Sequence, residues 1–330
     1  MGCSYSQHSL ILQESVMEHI DHLPSPAITV VTAGANYLDI DAYACCVAMR
    51  DLLILKGENA IAYSKAEFNY SVCQSLVEKS HMQSTFPANV HPGDVRYIIV
   101  DVSDPAHIQE AVSLDSVTEV YDHHVGYEDY WLTRIGAGAH IEFIGAAATL
   151  IYREWKKANL QDQIKKSTAR LLAAAILDNT LNLMSSNTTE EDIEAYSALS
   201  RRADVDEIWR ATYFSEVQAN VEKDMYNALR NDLKHIDPNP VLPANIAQLC
   251  VWDAGRVMKR LPDIHAWFAG MTDGWMLNLI DIHRCCSYFI CDDIGHQKEI
   301  ERLFDVRFEA SVAHSVQAYL RKQILKKVQQ

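Results

Sequence analysis

Short apolar segments rich in β-branched residues alternate with helical stretches in the first part of the chain. Four of these segments have the length and composition of buried strands: 27–32 (AITVVT), 60–64 (AIAYS), 97–102 (YIIVDV) and 117–121 (VTEVY). A helical pattern over 41–56 separates the first two. Because parallel strands need long crossover connections that are usually helices, this alternation predicts an α/β fold with a parallel sheet and helices on both faces.

A second, smaller α/β unit is predicted in the rest of the chain. After the fourth strand, helical periodicity marks 145–157, 164–177 and 189–202, and the composition becomes charged around 201–206. There follow a long polar helix at 215–235, a proline-rich turn, strands at 247–252, 275–282 and 287–291, and helices at 255–269 and 316–328. We therefore expect two domains, over 1–205 and 206–330, in a chain of 330 residues.

The charge balance limits the partners of the chain. Lys and Arg number 29 and Asp and Glu number 44, which gives a formal net charge of −15. A protein that holds duplex nucleic acid by its phosphates normally carries a basic stripe, and none is visible in this sequence. We expect no duplex partner, and we expect phosphate groups to be bound with the help of metal ions that reverse the local field.

The N-terminal region and the cysteines bear on the compartment. No apolar run reaches the ~18 residues of a membrane helix, and the first residues lack the apolar core of a signal peptide. The eight cysteines include no Cys-x-x-Cys pair, which favours reduced thiols in a cytoplasmic protein with no membrane partner. Gly2 and Cys3 fit a loose lipidation pattern, with an ordinary frayed terminus as the alternative.

Acidic residues lie where the predicted strands end. Asp39 and Asp41 follow the first strand, and Asp101 ends the third. Ligands of open parallel sheets bind beyond the carboxyl ends of the strands, so these carboxylates are candidates for holding hard divalent cations. The alternatives are a helix N-cap for Asp39 and Asp41 and a turn-forming role for Asp101.

The sequence Asp122-His123-His124 ends the fourth strand and is the sharpest local signal. Imidazole is a good transition-metal ligand, and Asp122 would orient a histidine ring by accepting a hydrogen bond from it. An exposed loop is the alternative.

Asp178 ends a mostly apolar helix, where an unpaired carboxylate is costly and a negative charge opposes the helix dipole. One imidazole and several carboxylates suit a two-metal site that activates water for phosphoryl transfer.

The order and spacing of these motifs resemble the DHH phosphoesterase superfamily. Its four motifs are an Asp-x-Asp turn, an Asp that ends a strand, the Asp-His-His that names the family, and an Asp in a turn resembling Asp-Thr. All four occur in order over roughly residues 25–200. The segment 145–149 (GAAAT) also resembles the family's Gly-Ser/Ala-x-x-Thr stretch.

The second domain resembles the type 2 DHH-associated domain. The segment 230–234 (RNDLK) resembles its Asp-x-Lys motif, and 319–325 (YLRKQIL) resembles its closing Ser-Arg-Lys-x-Gln motif without the Ser. That domain occurs in manganese-dependent class II inorganic pyrophosphatases and in exopolyphosphatases related to the prune proteins. The other associated domain has a Gly-Gly-Gly-His motif, which nothing after residue 205 matches. We interpret 136–140 (GAGAH) as a loop.

The resemblance implies an active site in the cleft between the domains, with two divalent ions. Manganese is the expected ion, with magnesium or cobalt as alternatives. One ion would be held by Asp41, Asp101, His123 and Asp178, and the other by Asp39 and the bridging Asp101, with Asn36 or water completing it.

The resemblance also implies catalytic roles for Asp122 and His124. Asp122 would orient the histidines, and His124 would contact the substrate phosphate or protonate the leaving group. Lys234, Arg321 and Lys322 would hold the distal phosphates. A homodimer is left open.

Two departures from the family pattern bear on the substrate. Relatives usually have His (pyrophosphatases) or Asn (exopolyphosphatases) four residues before the first Asp of the Asp-x-Asp turn, where this chain has Ala35, with Asn36 beside it. Pyrophosphatases also tend to have Asp-His-Asn where this chain has Asp101-Val102-Ser103. We therefore expect a hydrolase for pyrophosphate, polyphosphate or a related small phosphate ester. The alternatives are a phosphodiesterase on short oligonucleotides or cyclic dinucleotides and a non-catalytic metal- or nucleotide-binding relative.

Overall fold

The structure is a computed structural model that describes residues 28–69, 71–78, 81–86, 94–237 and 239–328. The lipidation hypothesis for Gly2 and Cys3 falls outside these residues. None of the helices in the described part of the chain is long and apolar enough to cross a membrane.

The first domain is built on a five-stranded sheet in which all neighbouring strands are parallel. Its strands, in spatial order, are β3 (Ala60–Ala62), β1 (Ile28–Thr32), β5 (Val95–Val100), β6 (Val117–Asp122) and β7 (Ala139–Ile141). A separate parallel pair joins β2 (Tyr37–Leu38) to β4 (Glu67–Phe68). The helices are α1 (Ile40–Leu55), α2 (Glu128–Ile135), α3 (Ala147–Lys157), α4 (Lys166–Asn179) and α5 (Glu190–Ala203).

Both faces of this sheet are covered. Successive residues of a strand point to opposite faces, so Val31 packs in the larger core against α1, α3 and α4, whereas Val30 packs in a second core with Trp131 of α2. Strands buried on both faces read as continuous apolar runs, which explains the sequence pattern. The predicted α/β fold with a parallel sheet and flanking helices is confirmed.

The second domain contains a six-stranded mixed sheet. Its strands, in spatial order, are β12 (Phe308–Glu309), β13 (Val312–Ser315), β11 (Cys286–Ile290), β10 (Trp275–Asp281), β9 (Asn245–Val251) and β8 (Lys234–His235). Strands β9 and β10 pair in parallel, and the other neighbouring strands described in this sheet pair antiparallel. The helices around it are α8 (Ala254–Met258), α9 (Leu261–Phe268), α10 (Ile294–Phe304) and α11 (Arg321–Val328).

Two helices connect the domains: α6 (Glu207–Lys223), which begins at the N-cap Asp206, and α7 (Met225–Asp232). Tyr213, Phe214 and Val217 of α6 belong to the larger core of the first domain, whereas Val221 belongs to a core of the second. The connecting helix α6 is therefore part of both cores.

Several predicted elements differ from the structure. The single helix expected at 215–235 is two helices, α6 and α7, followed by strand β8. The helix expected at 255–269 is interrupted before α9, where Pro262 occupies the first turn. The segment 136–140, interpreted as a loop, enters the edge strand β7, and the last helix begins at Arg321 instead of residue 316. Helices α2 and α10 and strands β2, β4, β12 and β13 were not predicted.

Candidate metal centre

Asp101, His123 and His124 come together where the neighbouring strands β5 and β6 end. One ligand atom from each lies within 4.8 Å of the others. Asp101 adopts a left-handed backbone conformation (φ 56°), which Asp tolerates better than most residues. Its backbone N–H donates to the Tyr121 carbonyl at 2.8 Å. This bend terminates the strand and leaves the Asp101 side chain buried beside His123.

His123 presents a lone pair to Asp101. Its Nδ1 lies 3.3 Å from the Ile144 carbonyl, which can only accept, so Nδ1 carries the proton. Burial lowers the pKa of His123 to about 3, so the ring is neutral. Its Nε2 is then an acceptor that faces Asp101 Oδ1 at 3.5 Å. Both atoms are buried and lack a hydrogen-bond partner among the described residues. Two facing acceptors repel unless a proton or a metal ion lies between them, so this pair fits a metal ion.

Asp122 orients His124. The carboxylate oxygen Oδ1 of Asp122 accepts from His124 Nδ1 at 2.9 Å and from the His124 backbone N–H at 3.1 Å. Burial opposes ionisation of Asp122, but the hydrogen bonds and charge of His124 outweigh it and lower the pKa of Asp122. Desolvation likewise opposes protonation of His124, but Asp122 outweighs it and raises the pKa of His124. The His124 ring is 61% exposed and lines a large cleft.

Asp39 adds negative charge to the same place. It caps α1, with Oδ1 accepting from the Ala42 N–H at 2.9 Å. Burial, followed by the charge of Asp39, raises the pKa of Asp101 well above its usual value. Burial raises the pKa of Asp178 to about 6, and the charge of Asp39 contributes. Two buried carboxyl groups whose pKa values are raised beside a third carboxylate form a site that a divalent cation would stabilise.

Asp41 is buried and already fully hydrogen-bonded. Its Oδ1 accepts from the Ala148 N–H at 2.9 Å and from the Cys45 thiol at 3.3 Å. Its Oδ2 accepts from the Ala147 N–H at 2.9 Å and from the Asn179 side-chain amide at 3.1 Å. A carboxylate offers about four lone pairs, and all are used. Asp41 thus caps the start of α3, and it would bind a metal only by giving up one of these contacts.

Asp178 lies at the end of α4 and is held by a residue that the sequence argument missed. The Tyr213 hydroxyl donates to Asp178 Oδ1 at 2.9 Å. Tyr213 comes from α6, 35 residues further along the chain, so no local pattern signals the contact. Asn179, which contacts Asp41, was also missed, although it directly follows a predicted ligand.

The predicted substrate-binding residues line a cleft of about 640 Å³ together with the predicted metal ligands Asp39, His123 and Asp178. This volume is in the range of ligand-binding pockets. The cations are Lys234, Arg321 and Lys322. The Arg321 guanidinium is paired with the Asp232 carboxylate, and it also donates to the Asp232 carbonyl at 2.7 Å. The cleft therefore joins an acidic group from the first domain to basic side chains from the second.

Gln248 is a further cleft residue that the sequence did not single out. The side-chain oxygen of Gln248 accepts from the Arg321 backbone N–H at 2.6 Å, and the backbone N–H of Gln248 donates to Asp232 Oδ1 at 3.1 Å. These contacts fix the start of α11 to strand β9.

Ala35 and Asn36 are exposed, and neither is among the described residues that line the cleft. The Ala35 N–H donates to the His107 carbonyl at 2.8 Å. The predicted role of Asn36 in completing a metal site thus gains no support from its position.

Comparison with known proteins supports the resemblance. No protein-family model matches the chain. A probable manganese-dependent inorganic pyrophosphatase of Deinococcus radiodurans is 28% identical over 171 residues, 52% of each chain. The chain thus spans about half the length of the curated relatives it matches first. A protein of the same name from Bacillus velezensis is 26% identical over 297 residues, 86% of this chain and 92% of the relative.

A solved structure extends the likeness to the fold. A putative family II inorganic pyrophosphatase of Methanococcus jannaschii superposes with a TM-score of 0.62 at 18% identity, over 91% of this chain and 98% of that one. The resemblance predicted from the four motifs is confirmed: the chain is similar in sequence to manganese-dependent inorganic pyrophosphatases and has the fold of a family II pyrophosphatase.

Proposed function

We propose that the chain is a metal-dependent phosphohydrolase that cleaves pyrophosphate or a related small phosphoanhydride, such as polyphosphate. The observation that carries this proposal is the pair Asp101 Oδ1 and His123 Nε2, which lie 3.5 Å apart beside a cleft lined by basic side chains; neither atom has a hydrogen-bond partner in the part of the chain that the structure describes. Its relatives are named for the same chemistry, with manganese as the metal. A net charge of −15 argues against duplex nucleic acid as the substrate.

Asp101 and His123 would hold the metal, with Asp39 and Asp178 completing a site for two divalent ions. We propose manganese, with magnesium or cobalt as alternatives. Asp41 would join only by exchanging a hydrogen bond. When bound, such ions lower the pKa of a coordinated water and neutralise negative charge on phosphate oxygens.

The other residues act on the substrate. Asp122 holds His124 Nδ1, which leaves the opposite ring nitrogen free to donate to a phosphate oxygen or to the departing phosphate. Lys234 and Lys322 would bind the distal phosphates with Arg321, whose side chain is held by Asp232. We also propose a cytoplasmic location, because the cysteines include no Cys-x-x-Cys pair and are typical of reduced thiols.

The test is a panel of substrates with added Mn²⁺: pyrophosphate, tripolyphosphate, long polyphosphate and a dinucleotide. We expect inorganic phosphate from at least one phosphoanhydride and no nucleoside monophosphate from the dinucleotide. Asp101→Asn is the matched control, because Asn also tolerates the left-handed backbone, and it should abolish release. Cleavage of the dinucleotide alone would favour a phosphodiesterase, and metal binding without any turnover would favour a non-catalytic relative.

A further inference from the structure

We infer that Tyr213 is a positioning residue for the metal centre: its hydroxyl holds one oxygen of Asp178 so that the other is presented to the metal. The inference rests on the proposed function, in which Asp178 is a metal ligand. The hydroxyl lies 2.9 Å from Asp178 Oδ1. Tyr213 is only 4% exposed, so water does not compete freely for this contact.

Asp178 needs such a partner because of its place in the fold. It lies in the last turn of α4, where unpaired backbone carbonyls give the helix end a partial negative charge. The charge of Asp39 acts on it as well. A donor aimed at one carboxylate oxygen offsets this repulsion and fixes the side-chain rotamer. Hydrogen bonds of this kind to ligating side chains orient them and tune metal affinity.

The Tyr213 ring is fixed by an aromatic stack. It lies parallel to Trp209, with centroids 5.5 Å apart, and meets Phe214 edge-on at 5.1 Å. Phe214 in turn stacks on Trp252 at 5.1 Å, and Trp252 stacks on His283 at 4.8 Å. Trp252 and His283 follow strands β9 and β10, so the second domain contributes to the position of the Tyr213 hydroxyl. An Asp178 rotamer in the first domain is thereby tied to the packing of the second.

The test compares two Tyr-to-Phe variants of the full chain. Tyr213→Phe removes the hydroxyl and keeps the stacked ring. Tyr97→Phe is the matched control: Tyr97 is also 4% exposed, and its hydroxyl donates to the Ala111 carbonyl at 3.1 Å, with no carboxylate involved. After the metal is removed with a chelator, Mn²⁺ affinity is measured by titration calorimetry and by electron paramagnetic resonance.

We expect Tyr213→Phe to weaken Mn²⁺ binding by ~10- to 100-fold, and Tyr97→Phe to leave it unchanged. The Mn²⁺ concentration for half-maximal phosphate release should rise by the same factor, with the KM for substrate at saturating Mn²⁺ unaffected. A merely structural role would alter the thermal midpoint of both variants without separating their metal affinities. Equal affinity of Tyr213→Phe and the wild type would overturn the inference.

A double-mutant cycle with Asp178→Asn makes the assignment specific. If Tyr213 acts through Asp178, adding Tyr213→Phe to Asp178→Asn should cause no further loss of affinity. Losses that multiply would mean that Tyr213 acts elsewhere, which contradicts the inference. Failure of the wild type to bind Mn²⁺ at all is a different result, because it removes the proposed function and the inference together.

Discussion

Replacing Lys234 by alanine should slow hydrolysis and leave the metal content intact. Lys234 lies in β8, and its side chain is exposed and lines the cleft. Among the described residues lining the cleft, Lys234 and Lys322 make no ion pair, whereas Arg321 is balanced by Asp232. The variant therefore removes one of two uncompensated lysine charges that face the substrate.

The size of the effect follows from the exposure of Lys234. Two unit charges 4 Å apart interact by ~1 kcal/mol in bulk water and by ~4 kcal/mol at the effective dielectric near a protein surface. Hydrogen bonds to charged groups, worth ~1.5–3 kcal/mol, fall between these limits. Because ~1.36 kcal/mol is a tenfold change in rate, kcat/KM should fall by ~10- to 100-fold. The loss should grow from pyrophosphate to tripolyphosphate, since each added phosphate needs a cation.

The assay is phosphate release from both substrates at saturating Mn²⁺, with metal content measured by elemental analysis. Lys234→Arg keeps the charge and should retain most of the activity. Lys298→Ala removes an exposed lysine of α10 that does not line the cleft, and it should behave as the wild type. Wild-type rates for Lys234→Ala on both substrates would refute the reasoning, because the Lys234 charge would then contribute nothing to phosphate binding.

Three further changes test the metal centre. Asp101→Ala should lose both ions if Asp101 bridges them, and metal analysis that still finds two ions per chain would reject the bridging role. Ala35→His should leave Mn²⁺ binding unchanged, because Ala35 is exposed and does not line the cleft; titration calorimetry that shows tighter binding would indicate that this position does reach the metal centre. Asp41→Asn should lower the free energy of unfolding by ~1–3 kcal/mol, because its amide hydrogens would face the N–H groups that begin α3. Urea denaturation measures this loss, and an unchanged midpoint would contradict the capping role.

The sequence predicted strands β1, β3, β5 and β6 and helices α1, α3, α4 and α5 of the first domain because their signals are local. Strands buried on both faces read as apolar runs, and helices such as α5 begin with a capping box, here Thr189 and Asp192. Edge strands carry weaker signals: β7 has only three half-buried residues and was interpreted as a loop. The turn after α4 was equally hidden, since Leu181, Asn182 and Leu183 all have positive φ without a glycine.

The candidate site was predictable where its residues end strands of one sheet. Parallel strands bring Asp101 and His123 together without any knowledge of packing, and the structure places them side by side. Asp41 shows the limit of this reasoning, because its hydrogen bonds come from α3 and α4, far away in sequence. Tyr213 was missed for the same reason. Contacts across long sequence separations are set by tertiary packing, which no periodicity encodes.

The sharing of α6 between two cores has a consequence for dissecting this protein. A fragment that stops at residue 205 would lack Tyr213, Phe214 and Val217, and so would expose to water the apolar surface that they cover. A fragment that starts after α6 would lose Val221 from its own core. Independent expression of the halves should therefore give aggregation-prone pieces, whereas co-expression of 1–205 with 206–330 offers each fragment the surface that it lacks. To alter one half of the molecule while keeping the other intact, the two fragments should be produced together, because each covers the apolar surface of the other.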